Sequence, residues 1–275
     1  MGYKVLIFIS INNGDPNMAI VKKIHYCWFG RGPIPVKEIN CIETWKKFFP
    51  DYEFILWNED NFDYRTCAFA RQAYENKKYA FVSDYARAKV LYEYGGIYLD
   101  TDVKVIKSFR DLLDQSEGIV GFERKAFIGT AVIACRLHDP CIKELLDYYE
   151  RHDFIQENGN FDNIANVSIL TDILKGKGLI LGGERQKVAG FEVYNREIFY
   201  PKKLSESKFN VTDVTVSVHM CSNSWLTDRE RKRGNNRIWI EIMRPILRGC
   251  RKIGIKIIGK EKIRSVEIKV RNILR

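Results

Sequence analysis

Residues 83–102 read SDYARAKVLYEYGGIYLDTD. Alanines, aromatics and aliphatics recur at helical spacing up to Tyr94, and two glycines then allow the helix to stop and the backbone to turn tightly. GIYLD follows as a short strand with β-branched and aromatic character, so the stretch predicts helix, turn and strand in immediate succession. The strand ends on Asp100 and Asp102, two carboxylates at i and i+2 that share one face at its carboxyl edge. Like charges so close repel, and a divalent cation relieves that repulsion. Mg²⁺ or Mn²⁺ held by one or two carboxylates commonly completes its shell with phosphate oxygens and water. On the preceding helix, Asp84 and Arg87 sit at i and i+3 on one face. An arginine there suits phosphate or sugar oxygens and an aspartate suits hydroxyls, while a local ion pair between the two is the bland alternative.

Outward from this block, apolar runs alternate with helical patterns. KKIHYCWF, YEFILWN, EGIVGFE, TAVIACR and VTVSVHM read as strands, and IPVKEINCIETWKKF, CIKELLDYYERH and NVSILTDILKG as helices. Such alternation predicts an α/β fold with a Rossmann-like, mostly parallel central sheet flanked by helices, spanning residues 18–227 as one domain. In open sheets of this kind, ligands bind beyond the carboxyl ends of the strands, where the acidic pair stands. Residues 1–17 read as an N-terminal extension. NNGDPN is a strong break, and the sequence resumes at Met18 as though from a fresh start. Residues 228–275 mix Ile and Leu with Lys and Arg at helical spacing. They form a basic helical extension that either packs on the domain or lies on an anionic membrane surface.

The chain has 275 residues, 45% of them hydrophobic, and a formal charge of +10, which points to an acidic partner. Its seven cysteines form no CxxC pair, which argues against a zinc knuckle or a disulfide framework and favours a reducing, cytoplasmic home. The N-terminal apolar run is too short for a membrane span. No helix-turn-helix, RNA-recognition or zinc-finger pattern is present, so nucleic acid is not the expected partner. A metal-dependent nucleotidyl- or phosphoryl-transfer enzyme is a nearer rival, because paired carboxylates and an arginine suit that chemistry too. The absence of a GxxxxGK[ST] loop counts against it.

Five blocks in order carry a resemblance: KKIHYCWFG at 22–30, CIETWKKFFPDYEFILWNED at 41–60, YAFVSDYARAKVLYEYGGIYLDTDVKVIKSF at 79–109, GFE at 121–123 and VHMCSNSW at 218–225. Together they resemble glycosyltransferase family 32, sugar transferases with a DXD motif common in bacterial capsule and O-antigen synthesis. The resemblance implies a GT-A fold, a nucleotide-sugar donor with UDP favoured, a Mn²⁺ or Mg²⁺ cofactor, and transfer to a glycan hydroxyl with retention of configuration. It implies that Trp28 stacks on the nucleobase, a core tryptophan being the alternative, and that Asp84 and Arg87 hold ribose and donor sugar. Tyr98 lines the donor pocket, Asp100 faces ribose, sugar and metal, and Asp102 ligates the metal. By the same resemblance His219, with Asn223, Ser224 and Trp225, closes over the pyrophosphate and metal, a hydrogen-bonded structural histidine being the alternative. Glu123 is read either as orienting a substrate or as a structural carboxylate, and Asn166 and Asp172 are suggested acceptor contacts. The expected acceptor is a polyprenyl-diphosphate-linked glycan, which places the protein at the inner face of the plasma membrane.

Overall fold

The computed structural model describes residues 19–162, 164–201 and 209–221, with isolated positions at 246, 247, 249, 255 and 259. The chain divides into two compact units, Met1–Lys202 with Phe209–Ser222, and Lys203–Lys208 with Asn223–Arg275. In the second unit Ile246, Leu247, Gly249 and Ile255 are helical, and Ile246 and Leu247 are exposed. The extension expected at 228–275 otherwise lies outside the described residues, as do residues 1–17 and Asn223, Ser224 and Trp225.

The first unit opens with β1 (Lys23–Cys27), α1 (Val36–Phe48), β2 (Glu53–Trp57), α2 (Ala68–Glu75), α3 (Tyr79–Tyr94) and β3 (Gly96–Leu99). It continues through β4 (Val103–Val105), α4 (Arg110–Asp114), β5 (Gly118–Arg124), β6 (Phe127–Cys135), α5 (Pro140–Arg151) and α6 (Asn166–Gly176). Then come β7 (Gln186–Val188), β8 (Phe191–Tyr194), α7 (Arg196–Phe199) and β9 (Ser217–His219). Seven strands form one sheet in the order β2-β1-β3-β6-β5-β8-β7. The pairings give five strands the same direction, with β6 and β7 reversed, so the α/β class and the mostly parallel sheet are as expected.

Alternation along β3 divides the interior. Tyr98 points into a core shared with α2, α3, α5 and α6, while Ile97 and Leu99 point into a second core with Ile42 and Trp45 of α1 and Phe199 of α7. The helix ends where the sequence predicts it. Gly95 (φ +62°) and Gly96 (φ +92°) are both left-handed, and a Cβ on Gly96 would lie 2.7 Å from the carbonyl oxygen of Lys23. Only glycine permits the backbone of β3 to approach β1 so closely.

Two features differ from the sequence reading. The strand stops at Leu99, so Asp100 and Asp102 belong to the turn between β3 and β4 rather than to one strand face. The late strand β9 does not join the main sheet. It pairs antiparallel with β4, Val103 opposite His219, in a separate two-stranded sheet. Strands of three residues carry too little alternating pattern to announce their partner.

Candidate active site

The acidic turn is held by backbone and by one indole. Asp100 N–H donates to the carbonyl of Ala131 in β6 at 2.9 Å, and Val103 N–H closes the turn onto the Asp100 carbonyl at 2.9 Å. Trp45, fully buried in α1, donates its Nε1–H to the Val103 carbonyl at 2.6 Å. The turn is therefore tied to the sheet on one side and to a core helix on the other.

Arg87 reaches it from the middle of α3. Its Nη2 lies 2.7 Å from Asp100 Oδ1 and 3.6 Å from Asp84 Oδ1, and its guanidinium lies 4.4 Å over the Tyr98 ring. The arginine side chain is 5% exposed. Burial works against its charge, but Asp100, Tyr98 and Asp84 more than offset this, so its pKa rises well above an already high value and it stays cationic. Burial pushes the carboxyls of Asp100 and Asp84 above the usual range, with Arg87 opposing that rise in both. Asp84 Oδ1 also accepts from Asn166 Nδ2 at 3.0 Å, linking α3 to the start of α6.

His219 arrives from the far end of the domain. The β4–β9 register places it opposite Val103, Met220 N–H donates to the Asp102 carbonyl at 3.0 Å, and His219 Nε2 lies 3.2 Å from Asp102 Oδ1. Burial alone would lower the imidazole's pKa, yet the Asp102 carboxylate overrides it and holds the pKa well above the ordinary value. One ligand atom each from Asp100, Asp102 and His219 lie within 4.8 Å of one another. Two carboxylate oxygens and an imidazole nitrogen suit a divalent cation of the Mn²⁺ or Mg²⁺ kind, the imidazole favouring Mn²⁺. Buried polar atoms without a hydrogen-bond partner among the described residues include Arg87 Nε, Asn166 Oδ1 and His219 Nδ1. Around the acidic turn these atoms keep hydrogen-bonding capacity that the other described residues leave unused.

The sequence-derived residues separate accordingly. Asp84, Arg87, Asp100, Asp102 and His219 converge. Trp28 is half-buried just past β1, its Nε1–H donating to the Gly32 carbonyl at 2.7 Å. Because β1 and β3 are parallel neighbours, it stands at the same sheet edge as the acidic turn. Tyr98, at 1% exposure, lies on the core side of β3 beneath the Arg87 guanidinium, because strand alternation turns it inward. Asp172 is exposed on α6 and paired with Lys175. Asn166, by contrast, is buried against Asp84. Cys221 lies with Glu123 and His219 in a second group of converging ligand atoms. No CxxC spacing signals it, because its neighbours come from β5 and β9. Among the described residues no disulfide joins two cysteines.

Residues 35–119 match the family described as "Glycosyltransferase sugar-binding region containing DXD motif". That match supports a glycosyltransferase of the DXD type. The chain is 33% identical over 103 residues to inositol phosphoceramide mannosyltransferase 3 of Schizosaccharomyces pombe, covering 36% of this chain and 29% of that protein. It is 29% identical over 119 residues to subversion of eukaryotic traffic protein A of Legionella pneumophila, covering 34% of this chain and 18% of that protein. The chain thus spans less than a third of the length of these two relatives. Among solved structures, a PaToxG glycosyltransferase is similar at 24% identity and a TM-score of 0.45, over 58% of this chain and 69% of that one. The DXD match contains the whole acidic turn together with Asp84, Arg87 and the β3 strand that positions them.

Proposed function

We propose that the protein is a GT-A glycosyltransferase that moves a sugar from a nucleotide-sugar donor to a glycan hydroxyl with retention of configuration. The observation that carries this reading is the convergence of Asp100, Asp102, His219 and Arg87 at the carboxyl end of β3. Asp100, Asp102 and His219 would hold Mn²⁺ or Mg²⁺, which when bound neutralises negative charge on a departing diphosphate. Arg87, permanently cationic, fixes Asp100 and adds positive potential where that charge builds. Asp84, braced by Asn166, is placed to accept from a donor hydroxyl, and Trp28 offers a flat face to the base. The acceptor oxygen attacks the anomeric carbon, its proton passes to an oxygen of the departing diphosphate, and the bond from that carbon to the nucleoside diphosphate breaks.

UDP is the favoured carrier. A mannosyl donor is the second reading, motivated by the name of the fission-yeast relative, and that name also includes a lipid, ceramide. The acceptor is read as a polyprenyl-diphosphate-linked glycan of a bacterial surface polysaccharide, reached from the cytoplasmic face of the membrane through residues 228–275. No helix among the described residues is long and apolar enough to cross a membrane. The full chain is expected to pellet with vesicles containing anionic lipid and not with neutral ones; equal partitioning to both would sink the membrane contact. The donor site is tested by calorimetric titration of UDP and GDP with and without Mn²⁺. Binding of one nucleotide that requires Mn²⁺ and is lost in Asp102→Ala is expected, and no binding of either would overturn the reading.

A further inference from the structure

We propose that Glu123, His219 and Cys221 form a second metal position, selective for Zn²⁺, that shares His219 with the acidic turn. One ligand atom from each of these three residues lies within 4.8 Å of the other two. Around a tetrahedral Zn²⁺, with bonds of about 2.0–2.3 Å, neighbouring ligand atoms stand roughly 3.5 Å apart, so a contraction of about 1 Å assembles the site. Glu123 comes from the end of β5, His219 ends β9, and Cys221 follows two residues later in a left-handed conformation (φ 54°). That conformation is unusual for a residue with a side chain. It keeps the thiol close to β9, with Sγ 3.5 Å from the His219 carbonyl oxygen.

The chemistry of the two sets differs although they share a ring. Asp100 and Asp102 contribute hard oxygens, whereas the second set joins one oxygen to an imidazole nitrogen and a thiolate sulfur, the combination that selects zinc over manganese or magnesium. The imidazole has one nitrogen committed, Nε2 toward Asp102, and one buried nitrogen, Nδ1, with no hydrogen-bond partner among the described residues. Three protein ligands leave a fourth position for water or another small donor. On binding, the Cys221 thiol releases its proton to solvent as the Zn–S bond forms. Zinc there draws on the same histidine that the acidic turn uses, so the two positions compete for His219. The site rests on the side-chain cluster alone and stands whether or not sugar transfer is the reaction.

Titration of the full-length, metal-free protein with Co²⁺ tests it. A sulfur-to-cobalt charge-transfer band should grow to one equivalent and be displaced by Zn²⁺. Cys221→Ser should abolish the band and weaken Zn²⁺ binding roughly tenfold or more, and Glu123→Gln should weaken Zn²⁺ while keeping the band. Asp100→Asn, which alters the first set only, should retain both band and zinc affinity. Absence of the band, its persistence in Cys221→Ser, or loss of zinc in Asp100→Asn as complete as in Cys221→Ser would each overturn the proposal.

Discussion

The two ends of β3 are held by different physics. At the amino end, His25 is fully buried, its Nδ1 accepting from Trp57 Nε1–H at 3.1 Å and its Nε2 lying 2.9 Å from the Gly95 carbonyl. With Nδ1 accepting, the proton resides on Nε2 and donates to Gly95, so this imidazole is neutral and both nitrogens are satisfied. At the carboxyl end, four residues later, Arg87, Asp100, Asp102 and His219 place several charges within ion-pair distance of one another. There, Arg87 Nε and His219 Nδ1 lack hydrogen-bond partners among the described residues. The dry end anchors the strand by closed hydrogen bonds and glycine packing. The charged end keeps polar capacity in hand, as a site that must bind something does.

Removing charge from one end and adding it to the other tests the contrast. The largest effect is expected from Arg87→Leu, which leaves Asp100 and Asp84 without their cation and should destabilise by about 3–5 kcal/mol in urea unfolding. A loss below about 1 kcal/mol would mean that the carboxylates are not held by the arginine. Next comes pH. Burial, with a smaller contribution from Lys23, lowers the pKa of His25 from 6.5 to about 4 against the opposing Gly95 hydrogen bond. Between those values the unfolded chain binds a proton that the native state refuses, so stability falls with falling pH from about 6.5 to 4, by about 3 kcal/mol in all. His25→Gln should remove that slope, and an unchanged slope would contradict a buried neutral imidazole. The smallest effect, about 1 kcal/mol, belongs to His219→Gln in metal-free protein and has the opposite sign with pH. Because the folded pKa is raised, the stability that His219 contributes is fully present below 6.5 and is lost as pH rises through the folded value.

Much of this was legible in the order of residues. Helix, paired glycine and short strand follow from local spacing in residues 83–102, and the acidic turn with Asp84 and Arg87 is contained in those twenty positions. A turn of helix brings i and i+3 together whatever the rest of the chain does, so their grouping needed no tertiary information. The burial of Tyr98 beneath Arg87 was not legible, since alternation assigns faces without naming the one that the helices cover. Asn166 reaches Asp84 across 82 residues, and His219 reaches Asp102 through strands of three residues each. The sequence by itself determined the local α/β elements and the carboxylates. The tertiary structure decided how distant side chains meet them, Asn166 at Asp84 and His219 at Asp102, because non-local strand pairing and burial are set by packing that no short window of sequence encodes.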